Sequence, residues 1–238
     1  MVLRQAEFKD LLAITNIYND AVLNTTATFD IEPKTVAQMT DWLNAHNEKY
    51  CVIVCEINKE IAGWASLTRY SDRTAYDRTA EFSIYLHPNF KGQKISKPLM
   101  EYCLQQGIKN GVKAVLARIT EGNDISIKLH EHFGFFMVGV LKQVGVKFNK
   151  VLDVNLMQLL VEEVENKIEK EDNKIEKISN KIENSETKST IDLIVEGMKI
   201  SYKKMLIKKK LLGQKLVFSE NGVIKIIEAK DIVIDETK

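Results

Sequence analysis

Over residues 2–159 the hydrophobic period switches repeatedly between two and about 3.6 residues, and this alternation narrows the possible folds more than any other feature. Residues 2–5 have a strand-like pattern. From Asp10, Leu11, Ile14, Ile17, Tyr18, Ala21 and Val22 recur at helical spacing, and the polar, threonine-rich run 24–30 predicts a loop. Pro33 precedes a second helix carrying Val36, Met39, Trp42 and Leu43. Residues 51–57 and 61–68 read as strands joined by a short hairpin link, Asn58-Lys59-Glu60, and 81–87 as a third strand ended by Pro88. Leu99, Met100, Cys103, Leu104 and Ile108 trace a helix closed by Gly111. A strand at 115–119, a helix at 123–133 stopped by Gly134, and strands at 135–141 and 152–159 follow. The order β-α-α-β-β-β-α-β-α-β-β predicts an α/β (α+β) domain with a mixed central sheet and helices on both faces.

The pattern changes after Leu160. Asn166-Lys167-Ile168-Glu169, Asn173-Lys174-Ile175-Glu176 and Asn180-Lys181-Ile182-Glu183 repeat every seven residues. The second seam position reads Val164, Glu171, Ile178, Ser185, so a solvated helix or frayed linker is expected rather than a stable zipper. Residues 199–217 hold seven lysines and no acid, and Asn221-Gly222 sits between two apolar runs as a hairpin turn would. The expected organisation is a domain over 1–162, a charged heptad-like linker helix over 163–188, and a small lysine-rich helix-plus-hairpin module over 189–238.

A formal charge of +1 argues against a nucleic-acid partner held by bulk charge. Three cysteines make no disulfide framework and no zinc spacing, so no metal is expected. The chain opens without a signal-peptide pattern and no apolar run approaches the roughly 20 residues of a membrane span. A cytoplasmic protein with no membrane span is the simplest expectation.

Three stretches carry chemistry. Lys91-Gly92-Gln93-Lys94-Ile95-Ser96 lies between Pro88 and a helix, where backbone N–H groups at a helix start suit a diphosphate; Lys91, Lys94 and Lys97 add positive charge. A solvated helix start explains the same residues. Glu81 shares one strand face with Ser83 and Tyr85, while Phe82, Ile84 and Leu86 share the other. That face is either solvated or turned into a cleft, where a carboxylate could take the proton of an amine. His130 follows Leu129 on a helix and is structural or catalytic by position.

In order, these stretches resemble the GNAT acetyltransferase superfamily, and within it the phosphinothricin and methionine-sulfoximine (L-amino acid) N-acetyltransferase group. The likeness runs from Arg4 to about Gln158. It includes Ile17-Tyr18-Asn19-Asp20-Ala21-Val22, Thr25-Thr26-Ala27-Thr28-Phe29, Thr79-Ala80-Glu81-Phe82-Ser83-Ile84-Tyr85, Leu129-His130-Glu131 with Gly134-Phe135, and Val144-Gly145-Val146-Lys147-Phe148 with Leu152-Asp153-Val154. The resemblance implies transfer of an acetyl group from acetyl-CoA to a small primary amine by direct attack, in a homodimer. It implies Glu81 as general base and His130 at the position of the acid for the leaving thiolate. Ile84, Tyr85 and Leu86, the loop Lys91, Gly92, Gln93, Lys94, Ile95, Ser96 and Lys97, and Asn123 would bind the cofactor. Arg73, Glu81, Phe82 and Ser83 would meet the substrate. Three positions depart from the family pattern: Lys94 and Ser96 stand where the loop has its two later glycines, and Ser71 stands where some relatives place an arginine on the substrate carboxylate. A CoA-binding regulatory protein and a protein or other-amine acetyltransferase are the competing readings.

Overall fold

A computed structural model of the chain describes residues 1–161, 215–220 and 223–228. The chain divides into two compact units, residues 1–161 and 162–238. The expected linker helix over 163–188 and the lysine-rich helix lie outside the described residues. In the second unit, strands β8 (Lys215–Glu220) and β9 (Val223–Glu228) pair antiparallel, with Glu220 opposite Val223.

The first unit contains strands β1 (Val2–Gln5), β2 (Val52–Ile57), β3 (Glu60–Arg69), β4 (Thr79–Leu86), β5 (Ala114–Thr120), β6 (Phe136–Lys147) and β7 (Lys150–Leu160). Its helices are α1 (Leu11–Asn24), α2 (Val36–Asn44), α3 (Ser96–Lys109) and α4 (Asp124–His132). The element order is the one expected from hydrophobic period. The strands form one seven-stranded sheet in the order β1-β2-β3-β4-β5-β7-β6, antiparallel except for β4 against β5.

Local chemistry sets the boundaries. Helix α2 follows Pro33 as expected and is capped by Thr35: the Thr35 hydroxyl accepts from the Gln38 amide at 3.2 Å, while the Gln38 side chain accepts from the Thr35 amide at 2.9 Å. This reciprocal cap satisfies two donors that the first turn leaves unpaired. The β2–β3 link turns through Asn58 and Lys59, both at positive φ, which matches the right-handed twist of the flanking strands. Phe148 and Asn149 turn the β6–β7 link in the same way, so β6 runs six residues beyond the strand expected to end at 141. Two register shifts interrupt it.

Leu11, Ile14 and Ile17 of α1 and Met39 of α2 pack on Val52, Val54 and Trp64, which project from one sheet face. Cys51, Ile53, Ala65 and Leu67 alternate with these and are likewise buried, as are Leu99, Met100 and Cys103 of α3. Arg4 ties β1 to this frame: its guanidinium donates to both oxygens of buried Asp10 (2.7 and 2.9 Å) and to Glu56 (2.8 Å).

Candidate active site

The site begins where the sheet comes apart. β4 and β5 pair at Thr79–Ala114, Ala80–Val115 and Glu81–Leu116, and no further. β4 then continues to Leu86 and β5 to Thr120, leaving a wedge between two strands whose outer edges remain paired. His87 N–H donates to Ala62 and Tyr70 N–H to Thr79, so the odd-numbered residues of β4 bond to β3. By the two-residue period, the backbone groups of Phe82, Ile84 and Leu86 face the wedge with no strand opposite. Backbone donors and acceptors left open in this way can be paired by an extended amide-bearing ligand.

The sequence-selected residues distribute unevenly around this wedge. Tyr85 and Ser83 turn their side chains to the α1–α2 face, in register with Trp64 and Ser66. Tyr85 stacks edge-on to Tyr18 (5.1 Å between ring centroids), and burial pushes its hydroxyl up to about 12. Phe82 points the other way and is buried against His130, so only its backbone can meet a ligand in the wedge. Arg73 lies on the exposed connection after β3, where its amide donates to the Ser71 hydroxyl at 3.3 Å.

Glu81 sits at the last paired position before the strands part. Both of its oxygens are held by Arg118 of β5, with Nε on Oε1 at 2.7 Å and Nη2 on Oε2 at 2.6 Å. The Glu81 side chain is 23% exposed and that of Arg118 is 61% exposed. The carboxylate holds the Arg118 guanidinium above its ordinary range. Sequence reasoning missed Arg118. It lies on a strand that is parallel only to β4, and no local pattern reveals which strand will stand beside Glu81.

His130 is the opposite kind of group. It is 2% exposed, wedged between the edges of Phe82 and Phe135. Nδ1 lies 2.7 Å from the Ser126 carbonyl, which can only accept, so Nδ1 carries the proton. Nε2 is left as a buried lone pair with no partner, in the wall of the wedge. Burial lowers the imidazole pKa despite the hydrogen bond to Ser126. In its neutral form His130 therefore presents an acceptor rather than a proton. Asn123 stands nearby as the N-cap of α4: its Oδ1 accepts from Ser126 N–H at 3.3 Å, leaving Nδ2 for a ligand.

The loop before α3 is built for an anion. Gly92 takes φ 81° in the turn that follows Phe90, and Lys94 takes φ 58°. A lysine thus holds a left-handed conformation that favours glycine, at a cost of about 1 kcal/mol. Helix α3 starts at Ser96 with no side-chain cap on its first turn. The amides of Ser96 and Lys97 have no intrahelical acceptor, and Pro98 contributes none. Exposed Lys91, Lys94, Lys97 and Gln93 surround them, while Ile95 is buried and anchors the turn. These donors, with the open backbone of β4, fit the diphosphate and pantetheine portions of acetyl-CoA.

A third wall comes from residues 25–30. Thr120 donates to the Thr26 carbonyl at 2.6 Å and Lys147 to the Thr28 carbonyl at 2.8 Å. Tyr18 donates to Asp30 at 2.7 Å, and a Cβ at Gly145 would collide with the Phe29 ring. Lys147 is 4% exposed, and burial lowers its pKa against the pull of Asp30.

The acetyltransferase (GNAT) family matches residues 14–135. The chain belongs to this family. It is thereby an acetyl-CoA-dependent N-acetyltransferase, as expected. It is 34% identical over 164 residues to an L-methionine sulfoximine/L-methionine sulfone acetyltransferase of Salmonella typhimurium, covering 68% of this chain and 96% of that protein. It is 32% identical to a phosphinothricin N-acetyltransferase of Streptomyces coelicolor, covering 61% and 88%. A phosphinothricin acetyltransferase of Sinorhizobium meliloti, solved in complex with acetyl-CoA, superposes with a TM-score of 0.64 at 32% identity, covering 67% of this chain and 87% of that one.

Proposed function

We propose that the chain acetylates the primary amine of a small molecule, an amino acid or a toxic analogue of the methionine sulfone, methionine sulfoximine or phosphinothricin type. The observation that carries this reading is the wedge between β4 and β5, with an anion-binding loop at one end and a carboxylate where the strands part. Acetyl-CoA, when bound, supplies an activated acetyl group at its thioester. Ile84 and Leu86 offer backbone groups to its extended arm, residues 91–97 hold the diphosphate, and Asn123 offers Nδ2. Holding both reactants in one wedge supplies a large part of the acceleration.

An ammonium group must lose a proton before it can attack. Glu81 accepts it, directly or through one water, on the lone pairs that Arg118 leaves open; a carboxylate has about four such sites. His130 faces the leaving sulfur as a neutral imidazole, so it must gain a proton at Nε2 before it can return one. Ser83 meets the acceptor from the α1–α2 side, and Arg73, on the exposed connection after β3, is assigned to the acceptor by family resemblance.

Residues 1–162 carry this activity by themselves. Thiol release from acetyl-CoA, measured across free amino acids, sulfone and phosphinate analogues and polyamines, tests both claims when run on the full chain and on a chain lacking 163–238. Turnover with a small amino compound in both supports them. Acetyl-CoA binding without thiol release over the whole panel would instead favour a CoA-binding regulatory protein.

We further propose a homodimer, a reading that β6 supports. This edge strand exposes Phe136, Met137, Val138, Val140, Leu141, Val144 and Val146 from both faces, at 41–62%. A long apolar edge is covered in a stable protein, and a second copy of the same strand is the self-complementary cover. Light scattering at twice the monomer mass, reduced by Val140→Lys, is the expected result. A cytoplasmic location is supported by Cys51 and Cys103, which stand 3.9 Å apart as free thiols and suit a reducing compartment.

A further inference from the structure

The ion pair at the rim of the wedge offers more than a fixed base. Arg118 spends Nε and one N–H of Nη2 on the two oxygens of Glu81, at 2.7 and 2.6 Å. A guanidinium has a second edge, formed by Nη1 and the other N–H of Nη2, and that edge has no partner among the described residues. It is shaped for a second carboxylate, because two parallel N–H groups match two carboxylate oxygens. The Arg118 side chain is 61% exposed and lines the space between β4 and β5 together with Ser83, Asn123 and His130. Among the residues lining that space it alone carries a formal charge, since burial keeps His130 neutral. An anionic group of a ligand in the wedge therefore finds one cation to pair with, directly beside the carboxylate that meets an ammonium.

Resting on the acetyl-transfer reading above, we propose that Arg118 anchors the carboxylate of the acceptor, so that the Glu81–Arg118 pair reads an α-amino acid as a zwitterion. The ammonium meets Glu81 while the carboxylate takes the open edge of Arg118, and opposite charges alternate around the four groups. A single carbon separates nitrogen and carboxyl group in an α-amino acid, which suits two side chains already in contact. Glu81 then takes the ammonium proton with the nitrogen held at the mouth of the wedge. An amine without a carboxylate leaves the second edge to water, and a carboxamide offers it one neutral acceptor in place of two charged oxygens. Water competes for an exposed guanidinium, so the discrimination is moderate rather than absolute. Arg118 thus sets specificity by its own contact with the acceptor and positions the base at the same time.

The test uses the full chain at saturating acetyl-CoA with methionine sulfone, its α-carboxamide and the amine that lacks the carboxyl group. The three probes share one side chain, so only the carboxylate varies. In thiol release the amino acid is expected to exceed each of the others about tenfold in kcat/KM, chiefly through KM. Arg118→Met should bring the ratio of amino acid to carboxamide down to about two or below. Arg118→Lys keeps the charge without the second edge, and the ratio should settle at about three. Comparing one ratio between chains cancels the different basicities of the probes. If Arg118 only props Glu81, Arg118→Met lowers kcat for all three probes alike and preserves the ratio, which overturns the anchor. A second measurement needs no variant. The acid that lacks the amine should compete with the acceptor on the wild-type chain about tenfold more tightly than its own amide. Equal inhibition by acid and amide, or equal turnover of the three probes, overturns the anchor and leaves acetyl transfer standing. Thiol release from none of the three overturns acetyl transfer and the anchor together.

Discussion

Glu81 and His130 flank the same wedge from opposite faces of β4, and they are opposite in every physical respect. Glu81 is at the rim, partly exposed, and ion-paired on both oxygens. His130 is interior, packed between aromatic edges, and neutral with one nitrogen unused. A group at a wet, charged rim can exchange protons with solvent and with an incoming ammonium. A group in an apolar wall is held in one protonation state, because burial penalises the charged form. The difference teaches that the two faces of β4 offer unlike settings, a charged and partly hydrated rim on the α1–α2 side and an apolar wall on the α3–α4 side.

The largest expected effect comes from erasing the rim side of this contrast. Glu81→Gln preserves shape and removes the base, so kcat should fall about a hundredfold or more, the usual scale for a general base, with KM for acetyl-CoA changed less than twofold. Steady-state thiol release decides it, and a variant within fivefold of wild type would remove Glu81 from the chemistry. Next in size is the wall of residues 25–30. Lys147→Met deletes the ammonium that holds the Thr28 carbonyl. The acceptor KM should rise about five- to tenfold while the acetyl-CoA KM stays within twofold; equal rises in both would mean general loosening.

The interior side is probed by pH. The folded-state pKa of His130 lies below its ordinary 6.5, so as pH falls the unfolded chain binds the proton first. Stability should therefore be lost on going below about pH 6.5, down to the lowered folded-state value, and be level above pH 7. Half-buried His46 shifts in the same direction and contributes the same sign. Thermal midpoints between pH 5 and 8 should show this slope, and His130→Phe should reduce it without abolishing it; an unchanged slope would place His130 in a more hydrated setting. The smallest effect belongs to the loop. Lys94→Gly relieves the left-handed lysine and removes a charge, so acetyl-CoA binding by calorimetry should weaken about threefold and depend less on salt. Tighter binding would show that the lysine is a cost without a return.

Hydrophobic period made the fold legible, because the burial of one strand face or one helix stripe is written at fixed spacing along the chain. The order of eleven elements followed from it, and so did the hairpin at Asn58-Lys59. Where the signal failed, the reasons are local. Val144 and Val146 sit in a strand exposed on both faces, which leaves no alternation to read, so β6 was expected to end at 141. Thr35 caps α2 through a reciprocal bond with Gln38, a pairing that Pro33 overshadowed. At the site, the candidates were chosen for their own chemistry, and those whose importance lies in a neighbour were missed. Arg118 matters because β5 runs beside β4, and Lys147 because Thr28 lies 119 residues away in sequence and one hydrogen bond away in space.

By itself the sequence determined the elements, their order and the residue types that an acetyl transfer needs. Those properties depend on spacing and side-chain chemistry, which are local. The tertiary structure decided which of these residues meet. It put Glu81 under a guanidinium fork, fixed the tautomer of His130 and opened β4 from β5 after three paired positions. Protonation and pairing depend on burial and on partners distant in the chain, and only the folded sheet brings those together.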